Sequence, residues 1–300
     1  MGYSVANTRT IHSKGSRDVH ALANKRLLGV QASLLILPAV FLFALFLAPV
    51  LLLIRTSLAQ TDPAVFQGTG FSTKAFSQLF QPLILQSLSF SVVLAMVVSV
   101  VTIAAALPAA YLVSRLRRSG QTCWIIAILS TLALSEVLIA FSWQVLLSHR
   151  SGLSNVLVLL GILESPVSLS PHIGAVVACM VYFVFPFTFL TLFPAVSRLD
   201  RSLFEAAQTM GASPLRAFFD IYVSALKPQI GASVAITSVI TLGAFVPPLV
   251  LGRPAHWTIG VVINEVALSG QNLPLAAAIA ILVVFLSLAI ITGIGRLTRQ

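Results

Sequence analysis

Long runs of apolar residues, almost free of charge, alternate along the chain with shorter polar segments. Six runs stand out, at about 28–54, 87–113, 123–147, 173–195, 230–251 and 273–294. A hydrocarbon core is crossed by roughly 20 consecutive apolar residues in a helix, and in lipid only helices or closed barrels satisfy every backbone N–H and C=O. The pattern predicts an all-α membrane protein with six transmembrane helices. Residues 1–26 are polar, with no sustained apolar period, and read as a disordered tail. The first run is too long for the core of a signal peptide and is expected to remain as the first span.

The polar segments differ in character. Segment 55–86 carries Asp62-Pro63, Gly68, Gly70 and Pro82 and predicts a short surface helix at about 72–80. Segment 148–172 has a helical apolar period over 153–163, which predicts an interfacial helix, and 252–272 is amphipathic, dipping into the membrane edge without crossing.

Segment 200–228 is written as a helical hairpin. Ser202 and Glu205 fit a capping box that starts a helix. Leu203, Ala206, Ala207 and Met210 share one face, and Gly211 stands where a left-handed cap would end it. Ser213-Pro214 restarts the helix, and Leu215, Phe218, Phe219 and Tyr222 give the second arm an apolar side. A folded hairpin between two spans predicts a docking surface for another protein.

Composition agrees with a membrane protein: 58% of residues are apolar and only 9% charged, against about 25% charged in soluble domains. The net charge of +10 does not point to nucleic acid, because its placement follows topology. With the N-terminal tail in the cytoplasm, fourteen of the 18 lysines and arginines fall on inside segments and four (Arg55, Lys74, Arg150, Arg253) outside. Both termini and the hairpin are then cytoplasmic. Cys123 and Cys179 lie in or beside apolar runs and read as packing residues.

The hairpin also carries a resemblance. Glu205-Ala206-Ala207, Gly211 four residues on, and Ile221 ten residues further resemble the EAA loop of permease subunits of binding-protein-dependent ABC importers. One departure is Val223-Ser224 where that family usually has Leu-Pro. Gly152, Leu153 and Asn155, Pro186-Phe187, Gly243-Ala244-Phe245, Pro247-Pro248 and Leu273-Pro274-Leu275 with Ala276 and Ala277 are similar to the polyamine branch of these permeases. Branches that import ferric iron, opines, sulfate or phosphonates share parts of the pattern. The resemblance covers about 28–299 and implies a type I importer bundle in the bacterial inner membrane. It implies a second permease subunit, a homologue that makes the pair a heterodimer, two ATPase subunits and an extracytoplasmic binding protein. It makes Glu205, Ala206, Ala207 and Gly211 the ATPase-coupling residues, Glu205 being the charged anchor and Gly211 the turn. ATP and Mg would be held by the ATPase subunits, and no cofactor is expected in this chain.

Candidate pathway residues come from the runs themselves. Glu136 is the one ionisable residue placed inside a run, and a carboxylate at mid-membrane costs at least about 2.5 kcal/mol on insertion scales. It either faces a cavity that passes a cation or makes a contact with neighbouring Ser and Thr hydroxyls. Tyr182 leads an aromatic cluster with Phe183, Phe185, Phe187 and Phe189; such rings can hold an ammonium within about 6 Å or simply pack. Thr237, Ser238 and Thr241 form a polar line, with Gly231 and Gly243 allowing close helix approach, which suits either packing or a wet pathway. Asn264 and Glu265 lie where an outer gate is expected, although a carboxylate there is ordinarily just solvated.

The histidines lack ligand spacing, so no metal site is expected. There is no G-x-x-x-x-G-K-[ST] loop, G-x-S-x-G elbow or H-E-x-x-H motif, and the chain reads as a non-enzyme. An ion-coupled secondary transporter using Glu136 is the rival, and it leaves the hairpin unexplained.

Overall fold

The computed structural model describes residues 36, 38–60, 70–149, 152–161, 164, 165, 167–200, 202, 207–213, 216 and 218–298. The chain divides into two units, Met1–Arg55 and Thr56–Gln300. The first contributes α1, Pro38–Ser57, long and apolar enough to cross a membrane.

The second unit is helical, and among the described residues its β-structure is a single bridge between Ala59 and Phe71. It contains α2 (Lys74–Gln78), α3 (Pro82–Ser114), α4 (Arg118–Leu132), α5 (Glu136–Leu146), α6 (Leu153–Leu159) and α7 (Ile173–Arg198). After the hairpin come α8 (Lys227–Leu242), α9 (Val246–Leu251), α10 (Ile259–Leu268) and α11 (Leu273–Leu297). The surface helix expected at 72–80 is α2, the interfacial one is α6, and α10, at ten residues, is too short to cross a bilayer at about 1.5 Å per residue.

Two of the six runs are not continuous helices. Run 123–147 breaks at 133–135, and α4 and α5 meet at 96°. Run 230–251 breaks at Gly243-Ala244-Phe245 into α8 and α9. The second break has a plain cause. Pro247 has no N–H to donate and its ring would clash with the carbonyl four residues back, which favours a break at Gly243. The first carries the signature of a helix start: Ser135 takes the extended backbone of an N-cap, and Glu136 opens the next turn. With α1, α3, α7 and α11, the α4–α5 pair makes five candidate spans if it is counted as one.

The bundle is centred on α3, which packs on both α7 and α8. Small residues let these helices approach: Ala106 and Ala110 are fully buried against Phe189, Leu192 and Val196. Gly231 is a close approach of α8 to the C-cap of α11, because a Cβ there would collide with the Thr298 side chain. At mid-length α3 and α8 are tied by Ser99, whose hydroxyl bonds Thr237 at 2.7 Å and Ser238 at 3.1 Å. Thr237→Val keeps the shape and removes one such bond. We expect a loss of about 1 kcal/mol, read as a melting temperature about 2–4 °C lower in detergent.

Candidate translocation site and coupling hairpin

The two broken runs meet at one point. Val246 is the first residue of α9 and Glu136 the first of α5. The Val246 backbone N–H, one of the donors a helix start leaves without an intrahelical partner, lies beside the Glu136 carboxylate. Glu136 faces a cavity of about 220 Å³, lined also by Thr131, Ile139, Tyr182, Phe183 and Phe187. Phe183 and Phe187 stand edge to face at 6.3 Å, and Tyr182 meets the Trp143 ring at 6.1 Å. Among the described residues no basic side chain pairs with this carboxylate; the one ion pair there is Arg216–Asp220. A half-buried carboxylate ringed by aromatic faces is suited to a cation that arrives from outside the chain.

The backbone break at 243–245 is held from the side by α10. Thr258 Oγ1 donates to the Ala244 carbonyl at 2.7 Å, and the Ile259 N–H donates to the buried Ser91 Oγ at 2.7 Å. Ser91 in turn donates to the Ser87 carbonyl within α3. Gly260 permits the contact, since a Cβ there would lie 2.7 Å from the Ala244 oxygen. Sequence reasoning missed Thr258 and Gly260. The available signal was an N-cap threonine before an apolar run. Gly260→Val should push the Ala244 carbonyl away and cost about 1–3 kcal/mol. Thermal unfolding of the purified variant checks this.

The hairpin is described in part. Glu205 and Ala206 lie outside the described residues, whereas Ala207 belongs to its first helix. The capping box of Ser202 and Glu205 rests on Glu205 and so lies outside the described residues; just before it, the Asp200 carboxylate accepts the Ser202 N–H at 3.0 Å, and that bond holds the Asp200 pKa below the usual carboxylate range. A carboxyl lowered in this way supports the helix start above its unfolded pKa, and the support fades as pH falls through the folded value. The helix ends at Gly211, with φ +89°. The Gly211 N–H donates to the Gln208 carbonyl and the Ala212 N–H to the Ala207 carbonyl, both at 3.0 Å. This is the Schellman arrangement expected of a glycine at that place. Ser213 Oγ then accepts the Arg216 N–H at 3.3 Å, capping the second arm.

That arm leads straight into the bundle. Phe218–Val223 is a π-helical turn, and the Phe218 ring stands edge-on to Tyr111 at 5.4 Å. Arg115 lies 4.8 Å over the same tyrosine ring and donates to its hydroxyl at 3.1 Å. Leu226 is buried with Leu107, Phe189 and Leu192, and α8 begins at the next residue, with Pro228 in its first turn. The hairpin exit, which has Val223-Ser224 in place of Leu-Pro, is thus made by a wide turn and a buried leucine.

Comparison with known proteins supplies the remaining observation. No family model matches the chain. The spermidine/putrescine transport system permease protein PotB of Escherichia coli K12 is 25% identical over 233 residues, which is 78% of this chain and 85% of the relative. Its counterpart in Haemophilus influenzae is 25% identical over 235 residues, 78% and 82% of the two chains. A bacterial ABC transporter involved in the import of the acidic polysaccharide alginate superposes with a TM-score of 0.72 at 18% identity, over 94% of this chain and 98% of that one. The chain is thus similar in sequence to PotB over 78% of its length, and its fold matches that of a chain of a bacterial ABC transporter.

The remaining predicted residues fall elsewhere. Thr237 and Thr241 are fully buried on α8 and do not line the Glu136 cavity. The Thr237 hydroxyl is shared with Ser99 between α3 and α8. Asn264 and Glu265 lie on α10 apart from the cavity lining, with Glu265 exposed. Gly243, expected at a close helix approach, instead caps α8 at the break. Of the predicted pathway set, the fold brings together Glu136 and Tyr182.

Proposed function

We propose that the permease is one of two homologous membrane subunits of an ATP-driven importer of the inner membrane, both termini cytoplasmic, and that it passes an organic cation of the polyamine class. The observation that carries this reading is the Glu136 carboxylate, beside Val246 at the meeting of two helix breaks and in a cavity lined by Tyr182, Phe183 and Phe187. Spermidine and putrescine, named for the PotB relatives, are linear ammonium ions that such a site suits. An extracytoplasmic binding protein would deliver the substrate; a related alginate transporter has been solved in complex with its periplasmic protein. ATP and Mg would be bound by two separate ATPase subunits, each docking on a hairpin through Glu205, Ala206, Ala207 and Gly211.

The mechanism follows from the connection between hairpin and site. ATPase closure would push the first arm, the Gly211 turn would pass the motion to the second, and Phe218 and Leu226 would carry it into the bundle. The element next in line is α8, whose 16 residues make a rod of about 24 Å. Its far end is the break that positions Val246. A shift of α8 would therefore bring the Val246 N–H toward the Glu136 carboxylate or away from it, so that the carboxylate holds the cation in one state and is occupied by Val246 in the other. The ATPase rate of the assembled transporter with its binding protein tests the substrate class. Spermidine or putrescine should raise the rate several-fold. Stimulation by ferric ion or an oligosaccharide, with none by polyamines, would contradict the assignment.

A further inference from the structure

A second cavity adjoins the Glu136 chamber. It is a cleft of about 490 Å³ in the elbow between α4 and α5, with α7 as its floor, and Trp124, Ile128, Trp143, Val181 and Phe185 are among its walls. Thr131 and Tyr182 line both spaces, so the tyrosine stands between a chamber with a carboxylate and a cleft with none. The Trp143 ring, edge-on to Tyr182 at 6.1 Å, backs it from the cleft side.

This pairing suits a ligand with a charge at each end and hydrocarbon between. We propose that the cleft is the second half of the Glu136 site, and that it takes the methylene chain and far ammonium of a linear alkyl diammonium ion, with Tyr182 measuring the length between. Methylene groups leave water for the apolar walls, and the far ammonium lies against the faces of Trp124 and Trp143. The permease itself then selects by chain length, in addition to any choice made by a binding protein. This rests on the reading of Glu136 as an ammonium site.

The test is a titration of the assembled transporter in nanodiscs with diamines from propane-1,3-diamine to octane-1,8-diamine, followed by calorimetry. In the wild type the affinity should rise with chain length, by at least about fivefold across the series. Trp124→Ala, at a position 53% exposed and tolerant of truncation, should flatten the series to within about twofold. Tyr182→Ala should also flatten it, and Tyr182→Phe should preserve it. Glu136→Gln should weaken every member alike. A flat series in the wild type, or an unchanged slope in Trp124→Ala, overturns the inference while leaving Glu136 as the ammonium site. Unchanged affinities in Glu136→Gln overturn that reading, and the inference with it.

Discussion

Replacing Glu136 with glutamine should reduce polyamine uptake by at least about tenfold, the loss of one charge-assisted contact in a low-dielectric site. The substitution keeps the size of the side chain and an oxygen that can accept the Val246 N–H, so the helix breaks should survive. Assembly with the ATPase subunits and basal ATP hydrolysis should therefore stay near the wild-type level. Loss of uptake with retained hydrolysis would place the defect in the passage of the cation. Loss of assembly would instead make Glu136 a strut of the fold.

The second large effect is expected at Gly211. No atom lies within 4 Å of where a Cβ would be built, so space is not the obstacle there; the φ of +89° is. Alanine at this place should cost about 1–2 kcal/mol of local strain and leave partial activity. Proline cannot adopt that φ and has no N–H to give the Gln208 carbonyl. Gly211→Pro should reduce transport to background while the membrane bundle keeps its melting temperature, because the turn belongs to the hairpin and not to the buried core. Parallel measurement of uptake and unfolding separates the two.

Residues that must satisfy a local rule were legible in the sequence. Gly211 was read as a left-handed cap and is one, Gly231 as a close approach and is one, and Glu136 drew notice because a carboxylate in lipid is costly. Interruptions inside apolar runs were harder. The hydrophobic pattern over 123–147 and 230–251 is continuous, and it reports burial in lipid without reporting whether the backbone stays helical. Pro247-Pro248 and Ser135-Glu136 were the local marks, and the apolar residues around them concealed both. Thr237 was ambiguous for a different reason: a hydroxyl at helical spacing suits a packed interface or a wet path, and its partner across the helices, Ser99, is 138 residues away in the chain. The contact of Thr258 and Gly260 with Ala244 joins residues about 15 apart through a turn that no periodicity encodes.

The account stands on ATP-driven movement of a cation through this chain. The direct measurement is uptake of labelled putrescine and spermidine into proteoliposomes holding the complete transporter, with ATP sealed inside, with ATP absent, and with an imposed ion gradient alone. The account predicts accumulation only with ATP and binding protein present. Accumulation driven by the gradient without ATP would contradict it and make the chain an ion-coupled carrier.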